Sequence, residues 1–191
     1  MKMERENVFE GRFVDVQIRS TSDQKIEVVV SCNSVAVLVY NRRLRKAVLV
    51  QQSRLAMVSA NNRKGIITEV IAGRMNKYNL TLKGLIALEI KEEVGVDVPE
   101  NDIIVINGLQ SLAMSPGMAT ERCYLALAEI PASSFPKEGS VFGVQEEGES
   151  TRPVIYSFEE LDALVYEDMK TLALVQFFLR GIEREERSRV R

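Results

Sequence analysis

Residues 72–96 read AGRMNKYNLTLKGLIALEIKEEVGV, and the second half of that run decides how the rest of the chain is read. Leu82, Leu85, Ile86 and Ile90 fall at three- and four-residue spacings, which predicts a helix over residues 80–94 with Gly95 placed to stop it. Gly84 inside that helix costs about 1 kcal/mol relative to alanine. Glu89 and Glu93 stand one turn apart, on the stripe that carries Leu82 and Ile86. An amphipathic helix buries that stripe, and burying two carboxylates is costly unless a cation or a set of donors compensates them. A hard divalent cation such as Mg²⁺ takes carboxylate oxygens and keeps waters for substrate phosphates, so an oxygen-ligated metal is one reading. A solvated acidic helix end is the other, and spacing alone leaves both open.

Upstream of the helix, SVAVLVYNRRLRKAVLVQQSR from Ser34 gives two β-branched runs, Val35 to Tyr40 and Ala47 to Gln52, joined by a basic turn. After the loop SANNRKG comes IITEVIAG, which reads as one apolar strand ending at Ala72 and Gly73. Further upstream, partial alternation from Phe9 to Ile18 and from Lys25 to Ser31 predicts an N-terminal hairpin. Downstream, strands are expected near Ile103 to Ile106, over Arg122 to Ile130 and over Arg152 to Tyr156. A long loop from Pro131 to Gly148 separates the last two, and loops of that length in a compact domain are usually functional. Two helical segments close the chain, Phe158 to Val165 and Met169 to Leu179, followed by a charged tail read as a frayed helix end. Strands mixed with a central and a terminal helix predict an α/β or α+β sandwich.

Composition narrows the chemistry. The 191 residues are 46% hydrophobic and 27% charged, which fits one domain with a real core. There is no histidine, so Ser-His-Asp and Cys-His catalysis and His-containing zinc sites are excluded together. Acid-base work falls to carboxylates, Lys, Tyr or water. A net charge of −2 gives no field to draw in nucleic acid, while a locally held anionic ligand stays open. Cys32 and Cys123 lie far apart in strand-like runs and read as buried free thiols. No apolar h-region opens the chain and no window approaches the roughly 18 apolar residues of a membrane span, so the expected location is cytoplasmic, with no membrane partner.

The run from Ala72 to Val96 resembles the signature loop-helix of the Nudix hydrolases. Gly73 matches the leading glycine, and Glu89, Ile90, Glu92, Glu93, Gly95 and Val96 match the second half in register. VLVQQSR before the run, TEVIAG leading into it, MSPGMATE after it and the acidic QEEGES agree with the branch that cleaves ADP-ribose and other nucleoside diphosphate sugars. The likeness covers residues 34 to 180. Three departures stand: one extra residue between Gly73 and Glu89, Asn79 or Leu80 where a Glu is expected, and Leu88 in place of the motif Arg.

The resemblance implies a Nudix fold, a mixed-sheet α/β/α sandwich over residues 34–180, with an N-terminal β extension over 1–33 that builds a homodimer and a charged tail over 181–191. It implies metal-dependent hydrolysis of the pyrophosphate bond of a nucleoside diphosphate sugar, to a nucleoside monophosphate and a sugar phosphate. Mg²⁺, or Mn²⁺, would be held by Glu89, Glu93, Glu149 and the Ala72 carbonyl. Glu92 is a further ligand or a supporting group, and Glu147 the candidate base, with Glu146 as the alternative in register. Arg54 is implied for phosphate, Glu69 for ribose or base, and Ser115 and Gly117 for a loop close to the substrate. Thr120 and Glu121 are retained beside that loop. Leu88 favours a rival reading, a catalytically weakened domain that binds nucleotide sugars.

Overall fold

A computed structural model of the chain describes residues 2–76, 79–137, 139–144 and 148–189. Strands β1 (Glu4–Glu10), β2 (Asp15–Ser20) and β3 (Lys25–Val30) form an antiparallel meander. The expected hairpin thus has a third strand. The run from Phe9 to Ile18 breaks at residues 11–14, where the Gly11 amide donates to the Val14 carbonyl at 3.1 Å. ERENVFE gives no apolar alternation, and β1 is exposed along its whole length.

Strand β4 (Ser34–Asn41) is buried at every position, which suits a run apolar on both faces. It turns back into β5 (Lys46–Ser53), yet the two pair only from Val39↔Val48 to Asn41↔Lys46. Beyond that they splay. The segment IITEVIAG is inserted between them as two strands rather than the single one expected. β6 (Ile66–Glu69) pairs with β5, and β7 (Ile71–Arg74) pairs with β4. Val70 is the joint, and its amide leaves the ladder to donate to the Thr171 hydroxyl at 2.9 Å, so it is not orphaned.

Helix α1 (Leu82–Val94) follows, close to the predicted span. Then come β8 (Ile103–Val105), β9 (Leu112–Ala113) and β10 (Arg122–Glu129), the last pairing in parallel with β4 from Cys123↔Ser34 to Glu129↔Tyr40. β11 (Thr151–Ser157) lies antiparallel along β5, and α2 (Phe158–Ala163) and α3 (Met169–Arg189) close the chain. The described residues form an eight-stranded mixed sheet beside the three-stranded one.

Helices cover both faces of the large sheet. On one, α1 packs Leu85, Ile86, Ile90 and Val94 on Val35, Val37, Val48 and Ile71. On the other, Leu38, Tyr40 and Leu49 meet Phe158, Leu161, Leu174 and Phe178. Each such side chain, fully buried, contributes about 1.5–3 kcal/mol. The segment read as a frayed tail continues α3 to residue 189: Ile182 is buried, and Glu185 and Glu186 pair with Arg42 and Arg45. The two basic residues sit on the β4–β5 turn and supply partners that the tail's own sequence does not reveal.

Candidate active site

Helix α1 is held at both ends. The Thr81 hydroxyl accepts the Gly84 amide at 2.9 Å, and Gly95 ends the helix in the left-handed region at φ 72°. A Cβ on Gly95 would also stand 2.3 Å from the Phe142 ring, so glycine is required twice over. The last turn is stapled from outside: the Gly143 amide donates to the Glu92 carbonyl at 2.9 Å, and the Thr151 hydroxyl to the Glu93 carbonyl at 2.8 Å. These bonds satisfy carbonyls that the helix end leaves over and fix the segment that carries the glutamates.

Glu89 and Glu93 are buried, at 7% and 3% exposure, on the stripe of Ile86 as the spacing predicts. Opposite them the inserted strand presents Glu69, itself only 2% exposed, with the Arg54 guanidinium donating to it through Nε at 2.7 Å. Burial works against the Arg54 charge, but the Glu69 carboxylate more than offsets this and holds the guanidinium above its ordinary value. Among the described residues Glu93 has no comparable partner. Burial first, then the Glu89 and Glu69 carboxylates, push its carboxyl well above the usual carboxylate range. Its Oε2 is buried without a hydrogen-bond partner among the described residues. Gly73 makes room for the arrangement, since a Cβ there would stand 2.0 Å from the Glu89 carboxyl carbon.

These groups border a cleft of about 290 Å³. Of the residues singled out from sequence, Arg54, Ala72, Glu89, Glu92, Glu121 and Glu149 line it, and Glu69 and Glu93 lie buried beside it. Ser115 and Gly117 are not brought there. Their loop docks on β3, where the Val29 amide donates to the Met118 carbonyl at 2.8 Å and the Thr120 amide to the Val29 carbonyl at 2.9 Å. Gly117 lines a separate groove of about 420 Å³ against the N-terminal sheet. Glu147 and Glu146 lie outside the described residues. Leu88 sits in a shallow groove with Lys91, Asp97 and Pro99 on the outer side of α1.

Ser34, Arg74 and Lys170 also line the cleft and are not legible from sequence spacing. Ser34 donates to Glu121 at 2.6 Å, and Lys170 stands 3.6 Å from Asp168 at the start of α3. The one sequence signal for the latter is the Asp-Met-Lys-Thr run opening a helix, where Asp168 caps Thr171 through its amide at 2.8 Å. Cys123 is buried, as expected of a structural thiol, while Cys32 is partly exposed and accepts from Arg74 Nε at 3.3 Å.

Among the described residues, no three acidic, cysteine or histidine side chains converge closely enough to hold an ion unaided. The donor set still fits a hard cation: a buried carboxylate oxygen without a partner among the described residues and a second carboxylate packed against a glycine. Fold and site together define a mixed α/β protein whose acidic cleft, edged by Arg54, Arg74 and Lys170, suits chemistry on a phosphate anhydride.

No family model matches the chain. Over 161 residues it is 33% identical to a GDP-mannose pyrophosphatase of Cronobacter sakazakii, which is 83% of this chain and 80% of that protein. A GDP-mannose pyrophosphatase of Yersinia pestis is 31% identical over 162 residues, 82% of this chain and 76% of that protein. The match to the one from Citrobacter koseri is shorter, 33% over 123 residues, 64% of this chain and 60% of that protein. The chain belongs to the Nudix family, to which these pyrophosphatases belong, and is a hydrolase acting on pyrophosphate bonds. Among the described residues no helix is long and apolar enough to cross a membrane.

Proposed function

We propose that this chain hydrolyses the pyrophosphate bond of a nucleoside diphosphate sugar, giving a nucleoside monophosphate and a sugar phosphate. GDP-mannose is the first substrate to test, because the relatives carry that name, and ADP-ribose is its competitor. The observation that carries the reading is Glu93, a buried carboxylate with an unpartnered oxygen beside Glu89 and Glu69 at the edge of a cleft that also holds cations.

Mg²⁺, with Mn²⁺ as a substitute, would be held by Glu89, Glu93, Glu149 and the Ala72 carbonyl. Bound there, such an ion neutralises phosphate oxygens and acidifies a water. The chain supplies the rest. Arg54, steadied by Glu69, offers donors to a phosphate, and Glu69 is the proposed acceptor for a ribose hydroxyl or a base N–H. Glu92 supports the ligand pair from the next position on the cleft wall. Proton removal from the attacking water falls to a carboxylate of the acidic loop, and Glu147 is the proposed base. The protein is proposed to work as a cytoplasmic homodimer joined through the N-terminal strands. A light-scattering mass of twice 21.5 kDa at micromolar concentration is expected, and a monomer mass would remove the dimer.

The deciding assay is phosphate release, after phosphatase coupling, from a panel of nucleoside diphosphate sugars with Mg²⁺ or Mn²⁺. Hydrolysis of at least one member, abolished by chelator and restored by metal, is expected. Full activity in excess chelator would remove the metal from the reading. Glu147→Gln should lower the maximal rate more than it weakens binding, because proton transfer belongs to the transition state. The same signature at Glu146 would move the base by one residue.

A further inference from the structure

Among the described residues three cations reach the cleft, and two of them have acidic partners: Arg54 is paired with Glu69, and Lys170 stands beside Asp168. Arg74 differs. Among the described residues its guanidinium meets only neutral groups, donating through Nη2 to the Phe13 carbonyl at 2.6 Å and through Nε to the Cys32 sulfur at 3.3 Å. The Phe13 ring lies against it, with the guanidinium carbon 5.3 Å from the ring centroid. Neutral acceptors and an aromatic face orient a cation without cancelling its charge. Arg74 follows Gly73 directly, so the strand end that lies against Glu89 also brings this charge to the same cleft.

Phe13 belongs to the tight turn between β1 and β2, not to the large sheet. The turn is held by the Gly11 amide, which donates to the Val14 carbonyl at 3.1 Å and to Asp15 at 3.2 Å. The N-terminal extension therefore reaches across to a residue of the cleft. A lysine in place of Arg74 would lose both the planar stacking on the ring and the second donor edge.

We propose that Arg74 binds a phosphate oxygen of the substrate's diphosphate and that Phe13 is its positioning residue. The assignment of a diphosphate substrate rests on the preceding reading. The geometry couples the N-terminal sheet to ligand binding through one guanidinium, which gives the extension a part in the reaction as well as in assembly.

The test is to compare wild type, Arg74→Gln, Phe13→Ala, Phe13→Tyr and the double variant Phe13→Ala/Arg74→Gln. GDP-mannose hydrolysis with Mg²⁺ and calorimetric binding of GDP and of guanosine are the readouts, with thermal unfolding as the check on folding. Arg74→Gln keeps donors for the Phe13 carbonyl but removes the charge. It is expected to raise KM about tenfold or more with kcat changed less than threefold, and to weaken GDP but not guanosine. Phe13→Ala should raise KM several-fold, Phe13→Tyr should restore it, and Phe13→Ala should add nothing once Arg74 is Gln. An unchanged KM and GDP affinity in a folded Arg74→Gln protein would overturn the proposal and leave Arg74 a tether. If the wild type binds GDP but hydrolyses no nucleotide sugar, the functional reading fails while the Arg74 assignment stands or falls on the binding data. A wild type that neither hydrolyses nor binds overturns both.

Discussion

On the α3 face of the large sheet, Tyr40, Phe158 and Phe178 meet ring to ring, with centroids 4.6 and 4.9 Å apart. On the α1 face, the apolar row of Val35, Val37 and Ile71 gives way to Glu69, Glu89 and Glu93. Both faces are buried, but one is closed by aromatic contact and the other by carboxylates that repel one another. The proposed reactivity belongs to the second face, and the sheet runs between the two. Thr171 makes the link: it sits on α3, yet its hydroxyl holds the Val70 amide at the joint of the inserted strand.

Substitutions can break this contrast in a graded way. Phe178→Ala removes the ring that both aromatic neighbours touch and should cost about 3–5 kcal/mol in denaturant unfolding, with kcat of the remaining folded protein little changed. Glu93→Gln should do the opposite. Turnover is expected to fall about a hundredfold or more, roughly 2.7 kcal/mol, while the unfolding midpoint stays level or rises because a neutral amide replaces an acid crowded by Glu89 and Glu69. A lower midpoint with unaltered hydrolysis would reverse the assignment of the two faces. Thr171→Val leaves the buried Val70 amide without an acceptor and should cost about 1–3 kcal/mol, with a measurable loss of activity because the joint carries Glu69 and Gly73 on either side. Leu88→Arg is the mildest. The new guanidinium divides between Glu92, one turn away, and Asp97 in the groove, so turnover should rise by less than about threefold. A tenfold gain would mean that the missing motif Arg limits this enzyme.

Helix α1 was readable because its determinants are local: Gly95 at the end, and the three- and four-residue spacing of Leu82, Ile86 and Ile90. The same spacing put Glu89 and Glu93 on the buried stripe before any tertiary contact was known. The division of IITEVIAG was not readable, because two short strands and one long one have the same apolar pattern. Only the splaying of β4 and β5 tells them apart. Arg74 and Lys170 were missed for a related reason, since a single cation carries no period and its place is fixed by segments distant in sequence. Ser115 and Gly117 show the converse: their turn chemistry is evident from sequence, but their docking on β3 is a long-range event. The ten-residue extension of α3 past Leu179 and its ion pairs with Arg42 and Arg45 likewise depend on a turn formed far upstream.

The parallel pairing of β4 with β10 joins segments 89 residues apart, from Ser34↔Cys123 onward. Closing so long a connection costs chain entropy before any native contact offsets it, so this pairing is expected to form late in folding. During synthesis, the β4–β5 hairpin and the inserted strand emerge well before residue 123. For that interval a largely apolar strand has one edge bare, open to pairing with a neighbouring nascent chain. Expression yield, more than equilibrium stability, should therefore respond to temperature and to translation speed between residues 41 and 123.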